Sequence, residues 1–348
     1  MGRKKSGLSG LAQFAMAAFT PTTTLPAANP VEEASSPQPA TLDELQTTTS
    51  AERPTKKRKS NKGAAIDASA ASEYGSGWIE KYDATGLVPH YSKPSQVPTH
   101  LKKYFWQRNR YFSLYSSPPG CLLDEEGWYS VTPELIADQI AERCRCGTIL
   151  DAFCGVGGNA IAFAKTCERV IALDISPTRL ALARHNAQIY GVADRIEFIL
   201  ADYVSFAKIY AERWPNPSAE ARQIDVVFLS PPWGGPSYIS SPSKARPGSS
   251  ATPAEPDLET DAVSDYSLDS IRPIHGAELF LLSRKITRNI AYFLPRNTDL
   301  VEISNLVEQS GGTGGQEMVE VEEEWMGSKL KALTCYFGGL VQGQEGMF

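Results

Sequence analysis

Ser230-Pro231-Pro232-Trp233 is a short run whose residue types suit one kind of chemistry. An exocyclic amine on an aromatic base is a weak nucleophile, because its lone pair is delocalised into the ring. An acceptor at the Ser230 side chain, with nearby carbonyls, can hold the N–H groups and turn the lone pair toward an electrophile. Pro231 and Pro232 stiffen the backbone and remove competing N–H donors. Trp233 offers a face that fixes the plane of a base. Catalysis by such a set is mainly alignment for in-line transfer, with no covalent intermediate. A Pro-Gly-rich turn with a structural Trp is the plain alternative, and it leaves the position directly after the apolar run Val226–Leu229 unexplained.

A second run, Asp151-Ala-Phe-Cys-Gly155-Val-Gly157-Gly158-Asn159, is a glycine-rich turn between an apolar strand and a helix. Such turns let a ligand approach the backbone closely. Gly155, Gly157 and Ala160 also fit the dinucleotide fingerprint, so glycine spacing alone does not choose the ligand. Asp151 helps to choose. A carboxylate at the strand end repels a pyrophosphate but suits the ammonium and sulfonium of S-adenosylmethionine. Asp174, at the end of the next strand, can accept hydrogen bonds from ribose hydroxyls. Asp202, after the third strand, is placed to meet an adenine amino group, or simply to cap a helix. Phe153, Asn159 and Ile175 complete the candidate cofactor surface.

These turns need a sheet to hold them. Apolar strands are predicted at 148–153, 170–174, 196–200, 226–229 and 290–294. Helices are predicted over 133–143, with Thr132 as N-cap, and over 159–165, 177–190 and 279–289. Late strands at 318–323 and 332–337 would form an edge hairpin. Strand–helix alternation implies an α/β, doubly wound, Rossmann-like and mostly parallel sheet of seven strands, with one antiparallel edge hairpin.

The chain has 348 residues, a formal net charge of -6, 42% hydrophobic and 21% charged residues, so whole-chain charge does not point to nucleic acid. No apolar run approaches the roughly 18 residues of a membrane span. Of six cysteines only Cys144 and Cys146 are close, as C-x-C, and the four histidines are scattered, so no metal site is expected. Residues 1–75 are rich in Ala, Pro, Ser and Thr and read as a disordered tail. Within it Lys56-Lys57-Arg58-Lys59 is similar to a nuclear localisation signal, or is an ordinary solvated charge run. Residues 76–132 form a small helical extension in which Tyr104, Phe105, Trp106, Tyr111, Phe112, Tyr115 and Trp128 alternate with Lys102, Lys103, Arg108 and Arg110. That mixture suits bases and phosphates, or a small aromatic core, or both. The domain proper spans 133–342, with a Pro-, Ser- and Asp-rich insertion at about 240–265.

Four strings together resemble the trimethylguanosine synthase family of RNA cap guanine-N2 methyltransferases: Gly127 to Glu134, Asp151 to Asn159, Phe228 to Pro236, and Tyr292 to Asn297. The resemblance runs from about Lys103 to Leu340. It implies a class I S-adenosylmethionine-dependent methyltransferase fold with that cofactor and no metal. It implies that Trp233 stacks on a 7-methylguanine and that Ser230 and Pro231 face its amine. Lys103, Tyr238, Arg296 and Lys331 would hold the cap phosphates. Phe112 and Thr132 would join Asp151, Asp174 and Asp202 near the cofactor. The expected substrates are 7-methylguanosine-capped small nuclear and nucleolar RNAs, with ribonucleoprotein core proteins as further partners. A monomer is expected, in the nucleus or nucleolus with some cytoplasmic presence. Two other functions stay open on the residues: methylation of guanine N2 or adenine N6 at internal nucleic-acid positions, and a non-catalytic cap-binding module or transcription partner.

Overall fold

The computed structural model describes residues 81–214, 223–235, 265–309, 317–343 and 345–347. Tyr238, the basic run at 56–59 and nearly all of the insertion lie outside them. Seven strands run β1 Thr148–Asp151, β2 Arg169–Asp174, β3 Ile196–Leu200, β4 Val226–Leu229, β5 Ile290–Pro295, β6 Val319–Met326 and β7 Lys329–Phe337. They lie in the order β3-β2-β1-β4-β5-β7-β6. The first five are parallel, and β7 and β6 close one edge as an antiparallel hairpin. This is the doubly wound sheet expected. The strands β1, β2, β4 and β5 are almost wholly buried, which explains their unbroken apolar runs.

The order 3-2-1-4 reverses direction between β1 and β4. Ligands in open α/β sheets bind at such a switch point, beyond the carboxyl ends of the strands. Both chemical runs sit there: the glycine turn leaves β1 and the Ser-Pro-Pro-Trp loop leaves β4.

Among the described residues, the short helices α1 Lys102–Phe105, α2 Arg108–Tyr111 and α3 Gly127–Ser130 precede the sheet. Then come α4 Glu134–Arg143, α5 Gly158–Thr166, α6 Pro177–Ile189, α7 Tyr203–Arg213, α8 Gly276–Ser283 and α9 Leu300–Gln309. Two predicted helices need correction. Pro133, not Thr132, is the N-cap of α4, and the Thr132 hydroxyl instead accepts a bond from the Asn159 amide at 3.0 Å. The helix placed at 279–289 is α8, which starts earlier. His275 caps it through Nδ1, which accepts from the Ala277 amide at 3.0 Å. Beyond its end, the Thr287 hydroxyl and the Asn289 amide both donate to the Asp225 carbonyl, at 2.9 and 3.0 Å. Those side chains draw 287–289 toward the start of β4 and out of the helix.

The aromatic extension is largely core. Phe105, Tyr111, Phe112, Tyr115 and Trp128 are buried, and Trp128 packs its ring 5.5 Å from Tyr115. Two polar residues of α6 tie the extension to the sheet. His185 Nε2 donates to the Gly120 carbonyl at 3.0 Å while Nδ1 accepts from the Ala84 amide at 3.2 Å, which sets the tautomer. Asn186 accepts from the Leu122 amide at 2.7 Å and donates to the carbonyls of Leu122 and Val156, both at 2.9 Å. Buried amides satisfied this fully fix one arrangement of the chain.

Candidate active site

The glycine turn is built by conformation and close approach. Gly155 and Gly157 adopt φ of 53° and 91°. A Cβ on Gly157 would lie 3.0 Å from that of Ala183, so the turn packs directly on α6. Cys154 donates its amide to the Leu173 carbonyl at 2.8 Å, joining the turn to β2.

At the head of α5 the turn encloses acceptors that lack donors. Asp151 is fully buried, and neither carboxylate oxygen has a well-formed hydrogen bond. The Asn159 side chain gives its N–H to Thr132, and its Oδ1 is likewise buried without a partner. Burial pushes the Asp151 carboxyl up to about 7. The Asp174 charge adds to the rise, while the amides of Phe153 and Ala160 pull against it. Buried acceptors with so few donors can take the hydrogen bonds of a ligand, and a cationic group there would favour the charged form of the carboxyl. The site therefore fits an ammonium-bearing ligand.

Asp174 holds the next part. Its Oδ2 accepts from the Gly155 amide at 3.0 Å and its Oδ1 from the Ser176 amide at 2.7 Å. Each oxygen keeps a lone pair for a ligand hydroxyl. Its pKa is raised, chiefly by burial. Ile175 beside it is 72% exposed, an apolar surface open to a ligand. Asp202 caps α7, its Oδ2 accepting from the Ser205 amide at 2.9 Å and the Ser205 hydroxyl at 2.7 Å. The capping role anticipated for it is thus present, whatever else it does. Phe153 lays its ring 5.5 Å from Tyr203, the first residue of α7. Phe112 is buried with its ring 6.1 Å from Tyr190, at the far end of α6.

The structure joins the glycine turn to the Ser-Pro-Pro-Trp loop. Ala152 donates its amide to the Phe228 carbonyl at 3.1 Å. The Ser230 hydroxyl points its hydrogen at the Phe153 carbonyl, 3.4 Å away, which leaves its lone pairs for an incoming N–H. Pro231 is buried. Trp233 is half-buried, its ring 5.2 Å from Phe293 and inclined by 35°, and its carbonyl accepts from the Tyr266 hydroxyl at 3.2 Å. Phe293 thus braces the indole from β5, and Tyr266, just after the insertion, holds the backbone of the loop that carries it. Sequence reading missed both: Phe293 looked like ordinary strand core, and Tyr266 stands alone in a polar stretch.

The predicted cations divide into two places. Lys331 is an extra residue on β7: Glu324 pairs with Ala332 but Trp325 pairs with Leu330, so the register slips at Lys331. Bulges of this kind re-aim a side chain. Pro295 pairs with Ala332, which brings Arg296, the next residue, alongside Lys331. The Lys331 pKa is lowered by burial, then by the charges of Lys329, Arg110 and Arg296. Lys103 lies on α1, its Nζ 4.7 Å from the centre of the Tyr104 ring. Tyr104 in turn packs 6.3 Å from Tyr129, which lies against Gly235 of the Trp233 loop. Arg110 was read only as one of the cations of the aromatic extension, and Tyr129 was not given a role from sequence.

All six cysteines are free. Among the described residues no group of His, Cys, Asp and Glu could hold a metal ion, and no helix is long and apolar enough to cross a membrane.

Residues 146–243 and 259–340 match the model of a family described as RNA cap guanine-N2 methyltransferase. The chain is 37% identical over 219 residues to the trimethylguanosine synthase of Schizosaccharomyces pombe, covering 60% of this chain and 76% of that one. It is 31% identical over 245 residues to the trimethylguanosine synthase of Saccharomyces cerevisiae, covering 68% and 67%. On these matches the chain belongs to the RNA cap guanine-N2 methyltransferase family, enzymes that take their methyl group from S-adenosylmethionine.

Proposed function

We propose that this enzyme converts the 7-methylguanosine cap of small nuclear and small nucleolar RNAs to 2,2,7-trimethylguanosine. The observation that carries the reading is the joining of Ser230 to the Phe153 carbonyl, which puts an amine-holding loop against a cation-accepting turn. When bound, S-adenosylmethionine supplies an electrophilic methyl on a sulfonium. Asp151 and Asn159 hold its ammonium group, Asp174 its ribose hydroxyls, and Ile175 and Asp202 its base, with Thr132 fixing Asn159. Trp233 stacks on the guanine. N7 methylation makes that base cationic, and cation–π attraction then adds about 0.5–2 kcal/mol. The Ser230 oxygen accepts an amine N–H and directs the lone pair in line. Lys331, Arg296 and Lys103 neutralise the cap phosphates, and Tyr238, outside the described residues, is the further phosphate contact of this reading.

The enzyme acts as a monomer on RNAs that arrive with ribonucleoprotein core proteins, and the run at 56–59 directs it to the nucleus. The test is methyl transfer from labelled S-adenosylmethionine to 7-methylated and unmethylated guanosine cap analogues, with products resolved by mass. One and then two methyls on the 7-methylated analogue alone are expected. Transfer to neither analogue, with cofactor bound, would refute the cap reading and favour an internal nucleic-acid target.

A further inference from the structure

The C-x-C pair, Cys144 and Cys146, has no part in methyl transfer, and the structure gives one of its thiols a partner. Cys146 lies just before β1, and Cys167 lies between α5 and β2. The backbone sets them side by side. Arg169 donates its amide to the Gly147 carbonyl at 2.9 Å, and Glu168 donates to the Cys146 carbonyl at 3.3 Å. Strands β1 and β2 begin with Thr148 opposite Arg169, so the same register carried back two residues sets Cys146 opposite Cys167. Neighbouring backbones in a sheet lie about 4.8 Å apart, inside the roughly 4.4–6.8 Å between Cα atoms that a disulfide spans. The side chains meet: Cys146 Sγ donates to Cys167 Sγ at 3.8 Å. That hydrogen bond pulls the Cys167 thiol down to about 7, with burial opposing it and the Thr166 hydroxyl and the Arg145 charge assisting. A thiolate beside a thiol is the arrangement from which a disulfide forms. Of the six cysteines, Cys146 is the one that is not buried, so an oxidant reaches the pair from its side.

We propose that Cys146 and Cys167 are a reversible redox site, closed to a disulfide by hydrogen peroxide and reopened by small thiols. One sulfur, as thiolate, attacks a peroxide oxygen. The O–O bond breaks, and the leaving hydroxide takes a proton to become water. The other sulfur then loses its proton and displaces the hydroxyl of the sulfenic acid, which leaves as water while the S–S bond closes. Two thiols lose two electrons in all, and one peroxide becomes two waters. Reduction runs by exchange, in which two small thiols leave as their own disulfide and both cysteines regain protons. The bond closes a loop that holds β1, the glycine turn and α5. It ties the amino ends of β1 and β2, whereas the cofactor turn leaves the carboxyl end of β1. The tie therefore stabilises the fold without entering the site, and it does not depend on which base is methylated.

Treating the full chain with hydrogen peroxide, then alkylating the unfolded protein and mapping its peptides by mass, tests this. A disulfide-linked pair of peptides holding Cys146 and Cys167 is expected, returning to free thiols in dithiothreitol. Cys144 and Cys154 should stay open to alkylation. The melting temperature should rise on oxidation by about 5–10 °C, from a closed loop of about 20 residues, with the rate of methyl transfer unchanged. Cys146→Ser and Cys167→Ser should each lose that rise, and Cys144→Ala should keep it. Cys146 and Cys167 both free after peroxide treatment would overturn the proposal. So would a link from Cys167 to Cys144, or Cys146 carried on to the sulfinic acid with no bridge formed. The wild-type peptide map decides the matter even where a variant fails to fold.

Discussion

Replacing Asp151 by Asn should make the cofactor-free protein more stable and reduce the extra stability that bound cofactor confers. Asp151 is fully buried with no well-formed hydrogen bond, and its pKa stands at about 7 against an ordinary 3.8. A rise of that size corresponds to roughly 4 kcal/mol of folding free energy. The sign follows from linkage. A carboxyl whose folded-state pKa is raised leaves the protein at full stability below pH 4, and the stability is lost as pH rises through about 7. Asn keeps the shape and cannot ionise, but its amide N–H group lacks an acceptor, which costs about 1–3 kcal/mol. The net gain above pH 8 is therefore about 1–3 kcal/mol, or roughly 3–10 °C in melting temperature for a domain of this size. The gap between the two proteins should open between pH 4 and 7 and then stay constant. Asp174 is also raised by burial, but it is present in both proteins and drops out of the difference. Cofactor affinity should move the other way, falling about ten-fold or more with the loss of a buried charge partner. Thermal melts at pH 6 and pH 8.5, with and without S-adenosylmethionine, measure both effects. A variant that melts below the wild type at pH 8.5 and binds cofactor equally well would show that the carboxylate is not held in reserve for a cation.

Trp233→Ala should lower kcat/KM on the 7-methylated cap by about 30-fold or more, from about 2 kcal/mol of desolvated cation–π stacking, with cofactor affinity unchanged by calorimetry. Asp174→Asn should weaken cofactor binding about ten-fold, while methyl transfer at saturating cofactor returns close to the wild-type rate. Lys331→Ala should raise KM for the cap dinucleotide about five-fold and leave kcat alone, and a kcat effect would place Lys331 nearer the reacting atoms. Trp128→Ala should cost about 3–5 kcal/mol in urea unfolding, since its ring is 1% exposed and packed on Tyr115.

The sheet was legible because burial on both faces leaves unbroken apolar runs, as in Val226–Leu229 and Ile290–Pro295. Their lengths and the intervening helices fix a parallel order. The glycine turn was legible because its conformation demands glycine at 155 and 157. What escaped the sequence depends on contacts between distant residues. Thr132 carries the local signature of a helix cap, yet a buried amide at Asn159 outcompetes the backbone for its hydroxyl. The α8 boundary moved because Thr287 and Asn289 answer a carbonyl some sixty residues earlier, at Asp225. The slip at Lys331 leaves no mark in composition, so the lysine could be named but not the device that aims it. The aromatic extension allowed a core or a binding surface. The structure divides it, with Trp128 and Phe105 inside and Trp106 67% exposed.

Asn186 binds three stretches of chain that are far apart in sequence: the extension at Leu122, its own helix, and the glycine turn at Val156. A side chain shared in this way makes those stretches one cooperative unit, which melts and refolds together. The extension is therefore not an interchangeable module laid on a generic methyltransferase. Recombination between relatives should succeed only when residues 84–123, the glycine turn and α6 are inherited as a single block. A crossover between them would strand a buried amide, and drift at any of the three is tied to the other two.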